Sequence, residues 1–173
     1  MTIVPDTKDW TWVLTRRCPD CGFDAAALSR QDVGSSLRRA AAELAAALDS
    51  PDAATRPAPG SWSALEYGCH VRDTFRVFLG RLELMLAEDD PLFANWDQDE
   101  TAVAERYGEQ DPVDVRRELA EAAAVLAGRF ESLRADVWQR PGRRSDGAVF
   151  TLTTFSQYLV HDPVHHVWDV THA

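Results

Sequence analysis

The chain has 173 residues, a length that suits one domain with at most a short arm and that can bury a sizeable core. Its formal net charge of −10 and its isoelectric point near 4.9 disfavour contact with phosphate backbones and anionic lipids, so we expect no nucleic-acid partner. No segment approaches the roughly 20 apolar residues that span a bilayer. The sequence therefore predicts a soluble protein with no membrane partner.

The cysteine content is low. Cys18, Cys21 and Cys69 do not form the even framework of a small secreted domain. The first ten residues also lack the basic start and apolar core of a signal peptide. We therefore expect a reduced, cytoplasmic protein. Arginine supplies nearly all the basic residues and alanine is abundant, a bias typical of a GC-rich genome.

Helical periodicity dominates the chain after residue 31, whereas the alternation typical of strands is scarce. The sequence therefore predicts an all-α fold, in which an antiparallel four-helix bundle over residues 32–173 follows an N-terminal arm at residues 1–31. The four predicted helices cover approximately residues 32–48, 63–88, 112–134 and 151–171.

Capping residues mark the starts of three of these helices. Asp32 is placed to cap the first helix and Ser63 to cap the second. Asp111 is placed to cap the third, with Pro112 in the first turn, where proline is favoured.

Two connections separate the later helices. The connection from about residue 89 to residue 111 is acidic and aromatic, and its length favours a functional role or a short helix of its own, which we place at Glu100–Arg106. The stretch Pro141–Gly147 has the composition of a turn.

Three histidines stand out on this frame. His70 lies within the apolar run of the second helix, and His161 and His165 lie one turn apart on the fourth helix. Residues four apart share a helix face, with Cβ atoms about 6 Å apart, so this pair can hold one ion. A lone histidine on an apolar face is more often a core residue, but three neutral imidazoles around one ion leave a coordination position open. We therefore predict a divalent metal site formed by His70, His161 and His165.

Pro163 complicates this prediction because it lies between the two paired histidines. It cannot donate to the carbonyl of Leu159, and its ring crowds that turn, so a kink is expected. Alternatively the helix restarts with Asp162 as its cap, and His161 then lies outside regular helical geometry.

The N-terminal arm contains a second motif. Cys18, Cys21 and the following glycine resemble half of a zinc knuckle, but a structural zinc site needs four ligands, and the spare soft donors are Cys69 and His172. A redox C-x-x-C normally lies in a βαβ setting, which this chain lacks. The arm is thus a packed extension with free thiols, a metal ligand pair or a disulfide. Two tryptophans of the arm are expected to pack across the bundle or line the mouth of the site: Trp10 and Trp12.

The segment Ala58–Asp73, followed by Tyr158–His166, resembles the DinB-like superfamily. Members are four-helix bundles that bind a divalent metal through one histidine of the second helix and an H-x-x-x-H of the fourth. The resemblance covers approximately residues 32–171. It implies that His70, His161 and His165 are the ligands, and that one or more coordination positions hold water.

What the resemblance implies for activity is broader. Related proteins are described as metal-dependent hydrolases, as thiol-cofactor S-transferases and as the metal domain of a mycothiol-dependent isomerase. An open-sited Zn²⁺ or Ni²⁺ lowers the pKa of a bound water or thiol. With the GC-rich composition, this favours a mycothiol-dependent S-transferase acting on a small molecule. A hydrolase of a small amide or ester and a non-catalytic metal- or ligand-binding stress protein are the alternatives. Homodimers are common among relatives.

Further residues are candidates for supporting roles. Glu66 and His166, with Asp169, are candidates for proton transfer or for hydrogen bonding to the ligands, although surface carboxylates are the commoner case. Arg144, next to Arg143, is placed to hold a carboxylate or phosphate of a substrate or cofactor. Two tryptophans are candidates for the pocket wall: Trp62 and Trp96.

Overall fold

The computed structural model describes residues 9–172 of the chain. The first eight residues of the arm, where a signal peptide would begin, and Ala173 lie outside the described residues. Within the described part, no helix combines the length and apolar character needed to cross a membrane. The helices are α1 (Val33–Ala47), α2 (Ala64–Ala87), α3 (Gln98–Ala104), α4 (Pro112–Glu131) and α5 (Leu152–Thr171), and the strands are β1 (Leu92–Phe93), β2 (Pro141–Arg144) and β3 (Val149–Thr151).

The four long helices form the bundle that the periodicity predicts. Both α1 and α2 pack against α4 and against α5, and the observed helix ends lie within a few residues of the predicted ones. Burying one leucine or phenylalanine side chain stabilises a fold by about 1.5–3 kcal/mol, so the shared core accounts for the packing. Its fully buried members include Leu37, Leu44, Phe75, Leu82, Leu119, Leu126, Phe155 and Leu159.

Local hydrogen bonds fix where the helices begin. At the start of α2, the Ser63 hydroxyl accepts from the Glu66 N–H at 3.2 Å, and the Glu66 carboxylate accepts from the Ser63 N–H at 2.8 Å. Asp111 accepts from the Val113 N–H at 2.8 Å, which confirms the predicted cap of α4. Asp32 occupies the predicted N-cap position of α1, but its side chain makes no capping hydrogen bond.

A small sheet corrects the expectation of a purely α-helical fold. Strand β1 pairs in parallel with β2, and β2 pairs antiparallel with β3. The stretch predicted only as a turn, Pro141–Gly147, contains β2 and the hairpin turn, where Gly147 adopts φ +95°. The fold is therefore mainly helical with one three-stranded sheet.

The long connection between α2 and α4 covers one side of α2. It carries β1 and α3, and α3 begins and ends two residues earlier than the predicted helical fragment. The Trp96 ring stacks on the His70 ring, with centroids 5.7 Å apart. The Tyr107 hydroxyl donates to Asp73 at 2.7 Å. The connection therefore shields one of the predicted metal ligands.

The N-terminal arm packs against α5. Its two 3₁₀ turns, Trp10–Leu14 and Ala25–Ala27, both contact that helix. The side chain of Gln157 donates to the Ala25 carbonyl at 2.7 Å. This packing brings the C-x-x-C motif of the arm to the surface of α5.

Candidate metal centres

Helix α5 carries two pairs of potential ligands at i, i+4 spacing. His161 pairs with His165, and Asp162 pairs with His166. Successive helical residues point about 100° apart, so the two pairs face different neighbours. The helix continues through Pro163 without a break, which excludes a restart at Asp162.

The first cluster lies between α2 and α5. His70, Asp162 and His166 each offer one ligand atom within 4.8 Å of the others. The Oδ1 atom of Asp162 lies 3.4 Å from the Nε2 atom of His70 and 3.7 Å from that of His166. The other carboxylate oxygen, Oδ2, is buried and has no hydrogen-bond partner among residues 9–172. Two imidazoles and one carboxylate are a donor set that divalent metals accept, so these residues fit such an ion.

The predicted three-histidine site is therefore divided between two clusters. His70 groups with Asp162 and His166, whereas His161 and His165 group with two cysteines of the arm. The physical reason is that neighbouring residues of a helix point in directions about 100° apart. Positions 162 and 166 therefore face α2, and positions 161 and 165 face the arm. Asp162, which was not among the candidate ligands predicted from the sequence, had a signal there, because it stands four residues before His166.

The charges of the first cluster support one another. Burial raises the pKa of Asp162, but the neighbouring His70 and His166 lower it well below its usual range overall. Burial lowers the pKa of His166, yet Asp162 and Asp169 raise it to about 9. A divalent cation at this site would therefore compete with a proton on His166 at neutral pH.

Asp169 touches one histidine of each cluster. Its Oδ2 atom lies 2.9 Å from Nδ1 of His166, and its Oδ1 atom lies 3.8 Å from Nε2 of His165. A carboxylate on the far nitrogen of an imidazole fixes the orientation and the tautomer of that ring. Asp169 thus orients the His166 ring so that its other nitrogen, Nε2, faces Asp162.

Aromatic rings enclose the first cluster. The Trp62 ring meets the His70 ring edge-on at 5.3 Å, and Trp96 stacks on the same ring at 5.7 Å. The Tyr67 ring lies 4.8 Å from the ring of His166. Trp62, predicted to wall the pocket, therefore packs directly on His70.

A cavity of about 200 Å³ reaches the first cluster at Asp162. Its wall includes Arg144, whose guanidinium pairs with Asp146 and donates to the hydroxyl of Tyr158 at 2.8 Å. Arg81 also lines the cavity and donates to a backbone carbonyl at 3.2 Å. Most of the remaining wall is polar: Thr74, Asn95, Gln98 and Ser145.

The second cluster joins the arm to α5. Cys18, Cys21, His161 and His165 each offer one ligand atom within 4.8 Å of the others. Burial raises the pKa of Cys21 to about 12 and lowers the pKa of His161 to about 4. The soft donors considered from the sequence, Cys69 and His172, lie outside this group.

Comparison with protein families identifies the bundle. A family model described as the DinB superfamily matches residues 35–170. The chain belongs to the DinB superfamily. The resemblance seen in the sequence is thereby confirmed. The matched region begins after the arm, so Cys18 and Cys21 precede the part of the chain that the superfamily shares.

One solved structure supports the same DinB-type fold. YfiT from Bacillus subtilis, described as a probable metal-dependent hydrolase with an unusual four-helix bundle topology, matches with a TM-score of 0.74. The match covers 84% of this chain and 87% of YfiT at 19% sequence identity, so it shows likeness of fold alone. Comparison with curated proteins gives no match.

Glu66, a candidate for proton transfer, makes its hydrogen bonds away from both clusters. Its carboxylate accepts from the Ser63 N–H at 2.8 Å and from the Arg56 guanidinium at 2.8 Å. Burial would raise the pKa of Glu66, but these hydrogen bonds lower it overall. Glu66 therefore caps α2 and pairs with Arg56, and it belongs to neither cluster.

Proposed function

We propose that the protein is a metal-dependent enzyme, with its divalent cation held by His70, Asp162 and His166. This proposal rests on the two imidazole Nε2 atoms that approach one oxygen of Asp162. Asp162 also lies on the cavity wall. Three protein ligands leave coordination positions for water or substrate, as is typical of catalytic rather than structural metal sites.

A cation at this position would lower the pKa of a bound water or thiol and so supply a nucleophile near neutral pH. The chain's own residues support that chemistry. Asp169 holds Nδ1 of His166, which leaves Nε2 free to face the site. Because the Tyr158 oxygen accepts from Arg144, its hydroxyl proton is free to be donated to a substrate oxygen in the cavity.

The cavity suits a small polar molecule with a negatively charged group. Arg81 has no carboxylate within ion-pair distance among the described residues, and its hydrogen bond goes to the Ala94 carbonyl. Burial and the positive charge of Arg144 lower the pKa of Arg81. An anion between these two guanidinium groups would compensate their mutual repulsion.

Two nucleophiles are compatible with this site. Transfer from a low-molecular-weight thiol, such as mycothiol, is favoured by the polar cavity wall, which suits a hydrophilic thiol. Hydrolysis of a small amide or ester is favoured by the structural similarity to YfiT, which is described as a probable metal-dependent hydrolase.

Turnover assays separate these candidates. The full chain is loaded with Zn²⁺ or Ni²⁺ and tested with mycothiol plus monochlorobimane, and separately with small amides and esters without thiol. Metal-dependent turnover that requires mycothiol supports transfer, and metal-dependent turnover without thiol supports hydrolysis. If neither occurs, the enzyme proposal is overturned in favour of a metal- or ligand-binding protein. His166→Ala should abolish any metal-dependent turnover.

A further inference from the structure

The second cluster has the composition and the spacing of a tetrahedral metal site. With metal–sulfur bonds of about 2.3 Å and metal–nitrogen bonds of about 2.0 Å, neighbouring ligand atoms of a tetrahedral zinc ion lie about 3.3–3.8 Å apart. The Sγ atom of Cys18 lies 3.6 Å from Nδ1 of His165. Cys21 and His161 complete a group of four soft donors within 4.8 Å of one another.

The backbone of the arm aims both cysteines toward α5. The Gly22 N–H donates to the Cys18 carbonyl at 3.1 Å, and the Cys18 N–H donates to the Phe23 carbonyl at 2.8 Å. Gly22 has φ +73°, a conformation that favours glycine. The side chain of Arg17 closes the turn by donating to the Gly22 carbonyl at 2.8 Å. This tight turn holds the two thiols on one side, as a metal knuckle requires.

Three of the four residues of the cluster are buried, and Cys21 is partly exposed. Cys18 is 1% exposed, His161 is 4% exposed and His165 is 8% exposed. Aromatic rings of Trp10 and Phe23 lie within 5.6 Å of the His161 ring. A site without an open position is typical of a structural metal ion.

One ring nitrogen in this enclosure needs a partner. The Nε2 atom of His161 is buried and has no hydrogen-bond partner within the described part of the chain. Leaving such an atom unsatisfied costs about 1–3 kcal/mol. In the described structure the free thiols leave this nitrogen without a partner, and a metal ion bound through it would supply one.

We propose that Cys18, Cys21, His161 and His165 form a structural zinc site that fastens the N-terminal arm to α5. On binding Zn²⁺, the two thiols lose their protons to solvent, and the two thiolates balance the charge of the ion. The two imidazoles bind as neutral ligands. The superfamily match at residues 35–170 includes the two histidines but not the cysteines, so the arm completes the site. This inference does not depend on the proposed enzyme activity.

Cobalt substitution tests the proposal, because Co²⁺ occupies zinc sites and reports its ligands by absorption. The reduced full chain loaded with Co²⁺ should show a thiolate-to-cobalt charge-transfer band and the intense visible bands of tetrahedral cobalt. The double variant Cys18→Ser, Cys21→Ser should lose the charge-transfer band.

Two control variants should keep this band. His166→Ala should keep it, because His166 belongs to the other cluster. Cys69→Ser is the matched control and should keep it too, since this buried thiol contacts Tyr107 and Gln110 instead.

A measurement on the unmodified chain decides the question even if the double variant does not fold. Titration of the zinc-loaded protein with a mercurial should release one zinc ion, detected with a chromogenic chelator, as the thiols of Cys18 and Cys21 react. Absence of the charge-transfer band in the wild type, or isolation of a zinc-free Cys18–Cys21 disulfide, would overturn the proposal. So would a band that disappears in His166→Ala and persists in the double serine variant.

Discussion

Asp169 acts on the first cluster through His166. It contacts the ring nitrogen of His166 that faces away from Asp162. Asp169→Asn keeps the size of the side chain but removes its charge. We expect the affinity of the first cluster for a divalent metal to fall about 10- to 100-fold, as for other carboxylates behind ligand histidines. Competition with a chelator of known affinity measures this change.

The matched control for this change is Asp136→Asn, an exposed carboxylate that pairs with Arg134 on a distant turn. Its metal affinity should equal that of the wild type. Equal affinities in the Asp169→Asn and Asp136→Asn variants would show that Asp169 does not position the ligand.

Arg144 and Arg143 are neighbours in the chain with different surroundings. Arg144 lines the cavity, whereas Arg143 pairs with Asp90 outside the cavity wall. Arg144→Gln should raise KM for an anionic substrate by about tenfold or more, because a hydrogen bond to a charged group contributes about 1.5–3 kcal/mol. Arg143→Gln should leave KM unchanged in the same steady-state assay. Parallel changes in the two variants would argue against an anion site at Arg144.

Glu66 contributes to stability through the cap of α2 and its ion pair with Arg56. Because its pKa in the folded protein is lowered from the ordinary value of 4.5, the carboxylate stabilises the fold above that pH. The contribution is lost as the pH falls through the folded-state pKa.

Glu66→Gln should therefore lower the free energy of unfolding at pH 7 by about 1–3 kcal/mol and weaken its dependence on acid pH. Urea denaturation at a series of pH values measures both effects. Unchanged stability together with a collapse of turnover would instead support the proton-transfer role that the sequence suggested for Glu66.

At the scale of elements, strand β2 sits tightly on the end of α2 because Gly142 has no side chain. A Cβ atom at this position would lie 2.6 Å from Phe93 Cζ and 2.9 Å from Met85 Cγ. Gly142→Ala should therefore destabilise the protein by about 1–3 kcal/mol through overpacking.

The matched control is Gly80→Ala within α2, where a Cβ atom would have no neighbour within 4 Å in the described structure. That change should stabilise the helix by about 0.5–1 kcal/mol. Thermal unfolding of both variants checks the pair, and a Gly142→Ala variant as stable as Gly80→Ala would contradict the close contact.

The length of an element decided whether the sequence could predict it, so the long helices were predicted and the short strands were not. A helix of fifteen or more residues repeats its apolar pattern over several turns, and caps such as Ser63 and Asp111 mark its start. Strand β1 has two residues and β3 has three, which is too short for alternation to be recognised. Their pairing also depends on contacts between distant segments.

The candidate site shows a similar limit. Spacing along α5 indicated that two residues four apart can bind one ion, but it did not reveal which of two such pairs faces α2. Adjacent residues such as His161 and Asp162 differ in direction by about 100°, and packing of the whole bundle decides between them. A histidine within an apolar run is unusual enough to mark His70 as a candidate ligand, whereas an aspartate beside Pro163 is equally typical of a helix cap, so spacing alone did not mark Asp162.

At the scale of the whole molecule, the arm and the bundle are joined at α5. Cys18 and His165 are 147 positions apart in the chain, so their contact could not be inferred from local spacing. The sequence left the C-x-x-C motif open between free thiols, a metal ligand pair and a disulfide, and the fold places two histidines beside it. One helix thus presents one pair of potential ligands to α2 and another to the arm, and Asp169 contacts a histidine of each pair.

The most direct test of two separate centres is anomalous X-ray diffraction at the zinc edge from crystals of the zinc-loaded full chain. We predict two anomalous peaks per chain, one between His70, Asp162 and His166 and one between His161, His165 and the cysteines of the arm. A single peak coordinated jointly by His70, His161 and His165 would contradict the division of these histidines between two sites.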